Sequence, residues 1–201
     1  MAARIRAAAL SHPALWISAL LWIVVSLYWE VQARKASVDK KAESGVSRAL
    51  HVFLVNAALL LLFIPIPGLN CRWLPSGSIV ADAGLSMEVA AVILAVWARR
   101  SLGANWSGRI TIKVEHQLIR SGPYRFVRHP IYTAFLGMYA GTAIVSGEWH
   151  ALLGLALAVL AYARKIRMEE ANLAAHFRAE WIGYCGSTGS LLPALFRQRR
   201  T

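Results

Sequence analysis

Two short clusters hold the residue types from which a reactive or binding site could be assembled. The first is Arg128-His129-Pro130-Ile131-Tyr132, an imidazole and a phenol around a proline that suits the first turn of a helix, where its missing N–H costs nothing. A helix opening there leaves the N–H groups of Ile131, Tyr132 and Thr133 without helical acceptors, and its positive end suits a carboxylate or a phosphate. His-Pro at a helix start also serves as a plain boundary. The second cluster is Glu169-Glu170, within ARKIRMEEANLAAHFRAEW, where Ile166, Leu173 and Phe177 share one helical stripe with Glu170 and Glu169 lies beside it. A carboxylate on an apolar stripe needs a partner. Local ion pairs from Lys165 to Glu169 and from Arg167 to Glu170 are the simplest choice.

The elements that must position these clusters are set by composition. The chain has 201 residues, 57% hydrophobic and 16% charged, with 22 Lys and Arg against 10 Asp and Glu and a net charge of +12. A charged fraction this far below the usual quarter, with mean hydropathy +0.47, excludes disorder and points to surface that meets lipid. The basic residues punctuate apolar runs and do not line a folded face, which argues against nucleic acid as a partner. Two cysteines, Cys71 and Cys185, cannot make a disulfide scaffold or a zinc site, so no metal is expected.

Five apolar runs, Ala14 to Trp29, Ala49 to Ile66, Ile79 to Ala98, Ile131 to Val145 and Ala151 to Ala163, predict an all-α polytopic membrane protein with about five transmembrane helices and a cytoplasmic C-terminal helix. The last two reach spanning length only by extending into their flanks and form a tight hairpin. Five spans put 19 cations on one side and Arg4, Arg6 and Arg72 on the other, so the positive-inside rule places the 19 in the cytoplasm, with the N-terminus opposite. Cys71 and Cys185 then fall on opposite faces. Residues 1–98 form an N-terminal set of three spans, and residues 99–201 a region of connector, hairpin and C-terminal helix. The connector from Arg99 to Pro130 is too polar to span and, at its plainest, is an interfacial segment. Asn56 and Glu88 are polar groups inside spans and receive no role.

Leu102-Gly103-Ala104-Asn105-Trp106-Ser107, His116-Gln117-Leu118-Ile119, Gly122-Pro123-Tyr124, the Arg128 to Tyr132 cluster and Glu169-Glu170 with Leu173 and Phe177 together resemble the isoprenylcysteine carboxyl methyltransferases and their bacterial relatives. The resemblance covers about the last 100 residues and implies an integral membrane enzyme, in the bacterial inner membrane, that uses S-adenosylmethionine in a pocket facing the cytoplasm. Carried over position by position, His116, Gln117, Leu118, Ile119, Tyr124, His129, Pro130, Ile131, Tyr132 and Glu169 would surround the cofactor. Methyl transfer to a carboxylate needs no general base, so catalysis rests on positioning, exclusion of water and a cation on the acceptor oxygens. Lys165, flanked by Arg164 and Arg167, stands where the eukaryotic enzymes have a substrate-contacting Arg. With Glu170, these make up the expected catalytic set. A second departure is Arg178, where relatives commonly have Gly.

The resemblance implies a lipophilic or prenylated acceptor, its carboxylate giving a methyl ester, in contact with membrane lipid. Related phospholipid methyltransferases share the His-Pro and Glu-Glu elements and methylate an amine. Sterol reductases have a similar C-terminal region with a nicotinamide cofactor, and a non-enzymatic membrane scaffold or small transporter would use the same residues only to hold its cytoplasmic segments together.

Overall fold

The computed structural model describes residues 13–33, 39–42, 44–103, 106, 111–113 and 118–194. Helix α1 spans Pro13–Ala33, α2 Gly45–Phe63, α3 Ser78–Leu102, α4 Pro130–Ser146, α5 Trp149–Phe177 and α6 Ala179–Ser187. One short antiparallel pairing, β1 (Asp39–Ala42) with β2 (Thr111–Lys113), ties the α1–α2 connection to the connector before α4. A 3-10 turn follows over Gly122–Arg125. His116 and Gln117 lie outside the described residues.

Local chemistry sets these boundaries. The Ser44 side chain accepts from the Ser47 N–H at 3.2 Å and so caps α2. Pro130 opens α4 as expected, and Gly147, at φ 64°, closes it in the left-handed conformation that a glycine tolerates. Helix α5 ends at Phe177 because Arg178 takes φ 46° and ψ −112°. That conformation is costly for a residue with a Cβ and suits the glycine that the resemblance leads one to expect there.

Among the described residues three helices are long and apolar enough to cross a membrane, α1, α2 and α3, and this corrects the expectation of about five spans. Only 17–22% of the residues in their apolar windows are buried, as expected of helices solvated by lipid. Helix α4 has 17 residues, about 25 Å at the α-helical rise, and falls short of the core thickness of a bilayer. Helix α5 has 29, but its apolar part gives way at Arg164 to a charged, cofacial continuation. The sequence pattern marked where the apolar runs lie, and the last two, already short by themselves, do not gain apolar spanning length from their flanks.

The hairpin nevertheless reaches the far end of the bundle. The Trp73 N–H donates to Gly147 O at 2.8 Å, the Trp149 N–H to Cys71 O at 3.2 Å and the His150 N–H to Leu69 O at 3.1 Å, joining the hairpin tip to the α2–α3 loop. At the opposite end Arg99, in the last turn of α3, donates to Gln32 O at 3.1 Å and to Gly103 O at 2.9 Å, with its guanidinium 4.4 Å over Trp106. Cys71 belongs to the first end and Cys185, on α6, to the second, and both are free thiols.

The tightest seam is between α3 and α4. A Cβ on Gly84 would lie 2.7 Å from Gly141 O, and one on Gly141 would lie 2.7 Å from Gly84 O, so the backbones approach as only glycines allow. One turn along, fully buried Glu88 accepts from Ser18 Oγ and Thr142 Oγ1, each at 2.8 Å, while Trp22 Nε1 donates to Thr142 Oγ1 at 3.0 Å. The acid thus joins α1, α3 and α4.

Candidate functional site

The two motif clusters, 41 residues apart in sequence, meet where the start of α4 crosses the polar half of α5. Adjacent positions on a helix diverge by about 100°, and the paired glutamates accordingly part company. Glu170 turns into a clamp. Its Oε1 accepts from Arg128 Nε at 2.9 Å and Ser190 Oγ at 3.3 Å, and lies 3.1 Å from His129 Nε2, which must carry the proton because a carboxylate only accepts. Hydrogen bonding from His129, reinforced by Arg128, outweighs burial and holds the Glu170 carboxyl down to about 2. Arg128 Nη1 also donates to Thr188 O at 2.6 Å, and the backbone N–H groups of Arg128 and His129 donate to Gly189 O and Ser190 O. The segment after α6 is thereby laid along the approach to α4.

Glu169 turns instead into a cavity, with Tyr132 Oη donating to its Oε2 at 2.6 Å. The cavity holds about 580 Å³, a size typical of small-molecule sites. Its polar end is walled by Tyr124, His129, Ile131, Tyr132, Lys165 and Glu169, with Leu118 and Ile119 on the connector side. His129 stacks on Tyr132, ring centroids 5.4 Å apart and 11° from parallel. Tyr124 is buried, which pushes its hydroxyl well above the ordinary phenol range, as does Glu169 nearby.

Most of the residues picked from sequence therefore face one space, but four do not. Pro130 is buried behind the wall it begins. Glu170 is consumed in the clamp. Arg164 lies one position off the lining face of α5 and donates through Nη2 to Ser47 Oγ at 3.0 Å, and Arg167 is exposed. Of that cationic trio only Lys165 reaches the cavity, with 7% of its surface exposed. The Arg167 to Glu170 pairing suggested by spacing gives way to Arg128 and His129, which offer charge-assisted bonds in a less exposed setting. Thr133 also differs from expectation. Its N–H donates to His129 O at 2.9 Å, so the helix start presents the N–H groups of Ile131 and Tyr132.

Other lining residues had no sequence signal of their own. Trp181 and Tyr184 come from α6, and Tyr184 Oη donates to Tyr124 O at 2.6 Å. Burial pushes the Tyr184 hydroxyl up to about 12, so it stays a donor at any physiological pH. Their spacing of three would have grouped them on one face of a helix, but nothing marked that face as turned toward His129. Trp22, Trp29, Val52 and Val55 extend the cavity between α1 and α2, where the apolar pattern gave only lipid-facing spans.

Residues 84–175 match the isoprenylcysteine carboxyl methyltransferase family. The protein-S-isoprenylcysteine O-methyltransferase A of Arabidopsis thaliana is 30% identical over 148 residues, covering 72% of this chain and 73% of that protein. Its B counterpart from the same plant is 28% identical over 130 residues, 63% and 64% of the two chains. The cobalt-zinc-cadmium resistance protein CzcN of Cupriavidus metallidurans is 30% identical over 171 residues, 80% and 74% of the two.

Proposed function

The chain belongs to the isoprenylcysteine carboxyl methyltransferase family, and from that premise we propose that it moves a methyl group from S-adenosylmethionine to the carboxylate of a prenylcysteine-like acceptor, giving a methyl ester. The observation that carries this reading is the meeting, in one cavity, of the Tyr132–Glu169 pair, the opening turn of α4 and a long apolar extension. A polar and aromatic chamber joined to an apolar one suits a charged donor beside a lipophilic acceptor.

The residues present fit the donor. Glu169 can meet a cationic group, the Ile131 and Tyr132 N–H groups can hold a carboxylate at the helix start, and Tyr124, Leu118, Ile119, His129 and Tyr132 offer stacking and apolar cover for a purine. His116 and Gln117 complete the set by resemblance. When bound, the sulfonium supplies an electrophilic methyl group and leaves as a neutral thioether, so no proton moves. What the chain contributes is placement. Lys165 orients and partly neutralises an acceptor carboxylate, the Arg128–Glu170–His129 clamp fixes the helix start, and the surrounding aromatics exclude water. Glu170 is thus a positioning residue in this reading. The cationic ends of the helices favour a cytoplasm-facing mouth, in a bacterial inner membrane, with residues 99–201 supplying most of the donor chamber.

Calorimetric titration of the detergent-solubilised protein with S-adenosylhomocysteine tests the donor half. Saturable binding weakened at least tenfold by Glu169→Ala, with Glu169→Gln intermediate, is expected; a folded protein that binds none ends the reading. Turnover with labelled donor then tests the acceptor half. An ester releases its label as methanol in mild alkali, whereas label retained on the product would mean an amine acceptor.

A further inference from the structure

Beyond the motif residues the cavity continues between α1 and α2, neighbours in sequence that hardly touch each other. The α2 side of this slot is a single helical face, Arg48, His51, Val52, Val55, Asn56 and Leu59. It changes character along its length. Arg48 and His51 stand at the end nearest Lys165, where Arg164 Nη2 donates to Ser47 Oγ at 3.0 Å and the His51 ring lies 5.4 Å from that of Tyr162, and the apolar residues follow over the next two turns, about 16 Å from Arg48 to Leu59 at the α-helical rise. Aromatic rings cover the opposite side, with Trp29 and Phe135 4.9 Å apart between centroids and Trp22 and Phe135 6.4 Å apart. None of this α2 face lies within the residues that match the family.

We infer that this face of α2 selects the methyl acceptor, Arg48 holding an anionic head and Val52, Val55 and Leu59 receiving the apolar chain behind it. The inference rests on the methyl-transfer reading above. A guanidinium can engage both oxygens of a carboxylate, which the compact ammonium of Lys165 cannot do alone. The slot also contains Glu30, on α1, which would favour a cationic head. Glu169, the other acid lining the cavity, accepts from Tyr132 and is assigned to the donor, which leaves Arg48 and Lys165 against Glu30 on the acceptor side, so an acid is favoured over an amine. The open side of the slot gives a chain in the bilayer a sideways route to the same place.

Quenching of the Trp22 and Trp29 fluorescence by N-acetyl-S-farnesylcysteine, by its neutral methyl ester and by the short N-acetyl-S-dimethylallylcysteine reads acceptor binding without turnover. The wild-type protein should bind the farnesyl acid about tenfold more tightly than its ester, and Arg48→Gln should erase that preference, with Arg48→Lys partly restoring it. Val55→Trp should weaken the farnesyl acid at least tenfold and the dimethylallyl acid less than twofold. All three variants should keep the thermal midpoint and the S-adenosylhomocysteine affinity of the wild type. An acid-to-ester ratio unmoved by Arg48→Gln, equal weakening of both chain lengths by Val55→Trp, or no saturable quenching by any acid overturns the inference. Selective acid binding without S-adenosylhomocysteine binding would instead remove the donor reading and leave the selecting wall in place.

Discussion

The seam between α3 and α4 and the slot between α1 and α2 are both made from apolar helices, yet one is shut and the other open. Gly84 and Gly141 let two backbones touch, and Glu88 binds three helices around that contact. The slot has larger residues on both sides, Trp22 and Trp29 facing Val52 and Val55, and these hold the helices apart around a cavity. In lipid no hydrophobic force draws helices together, so side-chain size and polar bonds decide which pairs close. The closed seam provides a rigid wall against which the open slot can vary.

The contrast breaks most severely at the seam. Gly141→Leu should prevent stable folding, because its first added carbon already meets Gly84 O at 2.7 Å and Glu88 Cγ at 2.6 Å; loss of a monodisperse detergent-solubilised species is the measurement, whereas Val55→Leu across the slot should fold normally. The next effect in size belongs to the clamp. Glu170→Ala leaves Arg128 and His129 without their shared acceptor and should cost about 3 kcal/mol, read as a lower thermal midpoint together with weaker S-adenosylhomocysteine binding. The same group sets an acid limit. Because its folded value of about 2 lies below the ordinary 4.5, its stabilisation is whole above pH 4.5 and drains away as pH falls toward 2, a decline that Glu170→Gln should flatten in a pH series of thermal midpoints.

Glu88→Leu should cost about 2 kcal/mol by stranding the Ser18 hydroxyl and leaving Thr142 with Met138 O as its acceptor, and Glu88→Gln less, since an amide oxygen still accepts; thermal midpoints separate the two. The smallest effect has the opposite sign. Arg178→Gly should stabilise by about 1 kcal/mol, because a glycine adopts φ 46° without the penalty that an arginine carries there. Equal midpoints for the two proteins would mean that the helix break is held by its surroundings and not by its own backbone preference.

Much of the proposed donor side was legible because chemistry and secondary structure coincide in short stretches of sequence. Pro130 suited the first turn of a helix, and the stripe through Ile166 and Leu173 carried acids toward whatever that helix packs against. The division of labour between Glu169 and Glu170 was not legible, since the stripe marked Glu170 as inward and spacing paired it with Arg167, which is not the partner it takes. That partner is Arg128, 42 residues away, and the choice depends on how α4 crosses α5. The proposed acceptor side was legible hardly at all. Arg48 counted as one cation among 19 in setting orientation, and only the failure of α1 and α2 to close on each other gives it a cavity to line. Span number went astray for a related reason, because a pattern of apolar runs records composition but not the cover that α4 and α5 receive from their neighbours.

The strand-like bonds that join the hairpin tip to the α2–α3 loop act as a fulcrum. Trp73, Trp149 and His150 commit backbone N–H groups across that junction, and the His150 ring adds Nδ1 at 2.7 Å from Leu61 O and Nε2 at 2.9 Å from Glu148 Oε2. With that end tied, the proposed exchange of spent donor for fresh would need the opposite helix ends to splay about the far side, as the tips of tweezers part while the joint stays still.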